Sequence, residues 1–67
     1  MDKIRADEAK PGQVVHVTGG KYWIRYIWYY GERLAFGLQP HDEPLSPFYE
    51  NDVMTMYIGA DILIEVE

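Results

Sequence analysis

One stretch constrains this chain more than any other: Lys21 to Tyr30, which reads Lys-Tyr-Trp-Ile-Arg-Tyr-Ile-Trp-Tyr-Tyr. It holds both tryptophans and four of the six tyrosines. Aromatic and β-branched residues suit a pleated, half-buried surface, so the stretch reads as a strand. It is longer than the usual ~5–6 residues, and a strand of that length is expected to bend.

The turns on either side assign its faces. Gly19-Gly20 is a hairpin signal, because both residues accept positive φ. A loop of those two residues sets Val17 opposite Tyr22 and Val15 opposite Ile24, and opposed residues share a face. Val15, Val17, Tyr22 and Ile24 then form a core face, against a mixed face of Val14, His16, Thr18, Lys21, Trp23 and Arg25. At the other end, glycine first in Gly31-Glu32 is the type II′ signature. That loop sets Tyr30 opposite Arg33 and Ile27 opposite Phe36. It points Ile27, Tyr29, Leu34, Phe36 and Leu38 inward, and Tyr26, Trp28, Tyr30, Arg33, Ala35 and Gly37 outward. The first hairpin buries even-numbered residues of the long strand and the second buries odd-numbered ones. A one-residue shift exchanges faces, so a bulge or sharp bend is predicted near Arg25–Tyr26. A three-residue loop at Gly31 is the alternative that would remove the conflict.

The rest of the chain reads as short strands and turns. Residues 1–10 fit either a first strand or a helical turn. Pro11-Gly12 marks a turn before the strand Val14-Val15-His16-Val17-Thr18. Three prolines between Gln39 and Pro47 make a loop. Ser46-Pro47 can open a short helical turn through Glu50, with Ser46 as N-cap and Pro47 at N1. Val53–Ile58 alternates, with Met54, Met56 and Ile58 on one face. Asp61–Glu67 alternates again, with Ile62, Ile64 and Val66 inward and Leu63 breaking the pattern. One all-β domain over residues 1–67 is therefore expected: a small antiparallel five-stranded barrel with room for one short helical turn. Its general plan resembles SH3-like barrels in three features: the early Pro11-Gly12-Gln13-Val14-Val15 turn and strand, the long bent hairpin, and the helical turn before the last strands. The resemblance is one of architecture and implies no function.

Size and charge narrow the classes of function. A 67-residue domain lies near the lower limit for folding alone and must bury most of its large side chains, so core packing is the first account of every aromatic residue. The chain has no cysteine and no apolar run of membrane-spanning length. Its N-terminal residues lack the apolar segment of a secretory signal. A soluble, cytoplasmic protein without membrane association is expected. All six basic residues lie in positions 1–33, which carry +2, whereas positions 34–67 carry −7. Asp42, Glu43, Glu50 and Asp52 belong to that acidic half. They read either as a solvated surface or as a field that steers a basic partner.

Catalysis has little support. The sole serine, Ser46, lacks nucleophile-elbow glycines, and His41-Asp42-Glu43 has no spaced second ligand for a metal. Gly19-Gly20-Lys21 lacks the spacing of a phosphate-binding loop. No enzyme activity, cofactor or metal is expected. Protein binding fits better, because tryptophan, tyrosine and arginine dominate interface hot spots. The candidate contact residues are Trp23, Arg25, Tyr26, Trp28, Tyr30 and Arg33, facing a partner protein or a second copy in a homodimer. A free-standing regulator or inhibitor, of the kind a phage or mobile element carries, is one form such a module takes. Two alternatives use other residues. Lys21, Trp23 and Arg25 have the parts of a single-stranded nucleic-acid platform, although phosphate binding calls for more cations. The acids of residues 42–67 could instead mimic nucleic-acid charge.

Overall fold

A computed structural model describes residues 2–41 and 54–67. The chain is all-β: β1 (Asp2–Arg5), β2 (Val14–Val17), β3 (Gly20–Tyr30), β4 (Arg33–Pro40), β5 (Met54–Gly59) and β6 (Leu63–Val66). A single 3₁₀ turn, Ala6–Glu8, follows β1. Six strands replace the expected five because residues 1–10 supply both of their alternatives, a strand and then a turn. Arg5 fixes that junction: its backbone N–H donates to Glu8 Oε1, and its guanidinium bonds Asp7 at 2.9 and 3.1 Å. The bonded Asp7 carboxylate holds the Arg5 pKa above its ordinary value.

All six strands are antiparallel in one sheet of order β1-β6-β2-β3-β4-β5. The sheet is open, so the expected closure into a barrel is not found among the described strands. β1 pairs only with β6 and β5 only with β4, which leaves them at opposite edges. The turn after β5 nevertheless meets the start of the chain, through Asp7 N–H to Ala60 O and Ala6 N–H to Ile62 O. The predicted helical turn over Ser46–Glu50 lies outside the described residues. The loop expected from Gln39 starts later, since Gln39 and Pro40 still pair with Trp23 and Tyr22 as the end of β4.

The second hairpin has the predicted register, from Tyr30 opposite Arg33 to Tyr26 opposite Gly37. Gly31 has φ +63° and Glu32 is not among the positive-φ residues, as a type II′ turn requires. The first hairpin differs. Its loop is Thr18-Gly19, so Val17 opposes Gly20 and Val15 opposes Tyr22. A slip of two positions keeps every side chain on its face. The choice therefore fell to local fit. Gly20, now in the strand, leaves room for the ring of Tyr22, whose nearest atom would lie only 3.0 Å from an added Cβ. The cost falls on Thr18, a β-branched residue at φ +48° beside Gly19 at +79°. Asparagine tolerates that conformation, so Thr18→Asn is expected to raise stability by about 1 kcal/mol, measured by chemical denaturation.

The core lies on one side of the sheet. Val15, Ile24, Leu34, Phe36, Leu38, Ile64 and Val66 are buried there with Ala6 and Ala9, and Val17, Tyr22, Ile27, Met56 and Ile58 pack around them. Tyr29 and Ile62, both expected inward, are exposed, and so is Met54, expected to share a face with Met56 and Ile58. Tyr29 is 61% exposed although it faces the buried Leu34, because β2 pairs with β3 only over Gly20–Trp23 and leaves this end of β3 with no described strand on its other side. Ile62 precedes β6 in the turn, and Met54 starts an edge strand. Leu63, the exception to the alternation, points away from the core and is exposed.

Candidate binding site

The parity conflict in β3 is resolved by a bulge. Ile24 opposes Leu38 and Tyr26 opposes Gly37, so Arg25 is the extra residue. The guanidinium of Arg25 donates through Nη1 to Oε1 of Gln39, which lies opposite Trp23. Arg25 and Tyr26 therefore both turn away from the core, as successive residues of a bulge can. Trp23, Arg25, Tyr26, Trp28 and Tyr30 then follow one another along a single outer face, and Arg33 joins them from β4. All six predicted contact residues lie on that face.

Their surroundings differ along the strand. At one end the Trp23 ring meets that of His41 with centroids 4.6 Å apart. In the middle Tyr26 and Trp28 are 4.4 Å apart, and the Tyr26 ring covers Gly37 on β4. An aromatic ring over a strand glycine compensates for the missing side chain. At the far end Tyr30 and Tyr57 are 6.5 Å apart, with Arg33 between them on β4. Trp28, Tyr30 and Tyr57 are 49%, 58% and 62% exposed, and neither tryptophan belongs to the buried core.

The structure thus divides the candidates. Arg25 and Tyr26 hold the sheet together, one by satisfying the buried Gln39 and the other by covering Gly37. Trp28, Tyr30 and Arg33 present themselves to solvent. Tyr57 belongs with them and is absent from the sequence-based set. The alternation of Met54, Met56 and Ile58 implied its outward direction, but its place beside Ala35 and Tyr30 depends on the β4–β5 register. The acids Asp42, Glu43, Glu50 and Asp52 lie outside the described residues.

Lys21, Trp23 and Arg25 share the outer face, yet each is engaged. Lys21 Nζ is 2.8 Å from Glu67 Oε2, and His16 Nε2 is 2.9 Å from the same oxygen. The bond from Lys21, then that from His16, holds the Glu67 carboxyl below its ordinary pKa. A carboxyl with a lowered folded pKa stabilises the fold fully above its unfolded pKa, and that contribution disappears as pH falls through the folded value. Glu67→Gln should therefore reduce the loss of stability on acidification through the carboxylate range, as followed by denaturation at stepped pH.

Among the described residues no group of three His, Cys, Asp or Glu side chains could hold a metal ion, and no helix is long and apolar enough to cross a membrane. Compared with protein-family models, curated proteins and solved structures, the chain matches none of them.

Proposed function

We propose that the chain is a small non-catalytic binding module that engages a partner protein through Trp28, Tyr30, Tyr57 and Arg33, with Trp23 at the margin. One observation carries this reading. A domain this small needs its large side chains for burial, yet three aromatic rings on β3 and β5, the strands that flank β4, stay about half exposed on one face. Aromatic rings lose little conformational entropy on contact and provide large amphipathic area, which suits them to recognition. The bent hairpin supports the reading of an SH3-like plan, although the sheet of the described strands is open. A regulator or inhibitor is a role such a module can fill, and the acids of residues 42–52 would then steer its approach.

Capture experiments test the reading. Immobilised wild type should retain a specific protein that Trp28→Ala and Tyr57→Ala fail to retain. Equal retention by the variants would count against the patch. A size-exclusion profile at two concentrations tells a partner from a second copy of the chain. Single-stranded nucleic acid is a weaker reading, because Lys21 and Arg25 already have partners. It predicts oligonucleotide binding that weakens steeply with salt.

A further inference from the structure

Arg33 stands apart from the other cations of the aromatic face. Lys21 is paired with Glu67, and Arg25 donates to Gln39. Among the described residues Arg33 has no carboxylate within ion-pair distance and no side-chain hydrogen bond. It is exposed and lines a shallow groove with Tyr30 and Tyr57. Tyr30 faces it across β3–β4, and Gly59 faces it from β5, where the side chains of Ile62 and Asp61 reach over the glycine. Arg5, Glu32 and Asp61 line the adjoining groove with Arg33; Arg5 is paired with Asp7, and neither Glu32 nor Asp61 pairs with Arg33.

We propose that this groove reads an acidic side chain on an extended segment of the partner protein. The inference rests on the binding role of the aromatic face and adds the chemistry of what is bound. The planar guanidinium matches a carboxylate with two parallel N–H···O bonds. The Tyr30 and Tyr57 rings supply apolar walls for the residues on either side of that carboxylate, and their hydroxyls can donate to it. Charge decides between a peptide and a nucleic acid. A phosphodiester strand carries a charge at every nucleotide, and its affinity comes from several cations at once. One unengaged arginine, with Glu65 and Glu67 on the same side of the sheet, suits a segment with a single acid among apolar residues.

A random dodecapeptide library selected on the immobilised protein tests this, with wild type, Arg33→Gln and Trp28→Ala run in parallel. Wild type should enrich peptides with Asp or Glu beside an aromatic residue or proline. Arg33→Gln should keep the apolar preference, lose the acidic one, and bind the wild-type peptides about tenfold more weakly. Acid-free peptides that still need Trp28 would overturn the carboxylate assignment and leave the patch standing. Peptides indifferent to Trp28→Ala, or no enrichment at all, would overturn both. Salt-sensitive oligonucleotide binding that is lost in Arg33→Gln would overturn the assignment to a peptide.

Discussion

Gly37→Ala is expected to destabilise the protein by about 2–3 kcal/mol, although it adds only one methyl group. Gly37 is buried in β4, and a Cβ there would overlap the ring of Tyr26 on the neighbouring strand. Tyr26 cannot keep its place. Its ring must swing off the sheet and give up both Gly37 and the Trp28 ring 4.4 Å away. The same change therefore disturbs the site. Trp28 fluorescence should shift in the folded variant, and a denaturation curve gives the stability loss. The double variant Gly37→Ala with Tyr26→Ala separates the causes. If ring and methyl compete for one space, removing the ring should make the methyl nearly harmless, and the two effects will not add. Additive losses would show that Gly37 matters for some other reason.

Phe36→Ala should be more severe. Phe36 is the largest of the fully buried side chains and lies on β4, between β3 and β5, with Ile27 and Met56 as its neighbours across the ladders. Truncating a buried phenylalanine costs about 3–5 kcal/mol, from lost burial and the cavity left behind. A chain of this size has a total stability of roughly 3–10 kcal/mol, so the variant should be partly or wholly unfolded at room temperature. Circular dichroism and amide-proton dispersion would report it. Phe36→Leu preserves most of the volume, and its loss should stay below about 1.5 kcal/mol. If Phe36→Ala kept a cooperative transition near the wild-type midpoint, the core would not be centred on β4.

How far the sequence led depended on whether the needed signal was local. Gly31-Glu32 carried the observed register against the alternative of a three-residue loop, because only one position needed positive φ and glycine filled it. The bulge at Arg25 was legible for a related reason: two registers of opposite parity had to meet within one strand. The first turn was ambiguous. Thr18-Gly19 and Gly19-Gly20 give the same faces, and the ring of Tyr22 over Gly20 distinguishes them only in three dimensions. Tyr29 and Ile62 followed the apolar pattern of the sequence around them, but pattern alone does not show where the elements that would cover them stop. Closure into a barrel was inferred from strand count and bending. It depends instead on which edges pair, and β1 and β5 do not.

The candidate site was readable as a face but not as a set of roles. Alternation placed Trp23, Arg25, Tyr26, Trp28 and Tyr30 together. That Arg25 would satisfy Gln39, and that Tyr26 would cover Gly37, required the strand opposite. The same pairing added Tyr57 and left Arg33 without an ion pair among the described residues. The exposed candidate residues of the outer face are thus fewer than the original stretch offered: Trp28 and Tyr30 from β3, joined by Arg33 and Tyr57 from the strands that follow it.

Unfolding of Trp28→Ala in guanidinium, followed by the fluorescence of Trp23, tests most directly whether the outer rings are spared from the core. A half-exposed ring on an open sheet face contributes little to stability, so the loss should not exceed about 1 kcal/mol, with the cooperative transition retained. A loss of about 3–5 kcal/mol, the value for a buried aromatic side chain, would make Trp28 a core residue and remove the basis for a binding face.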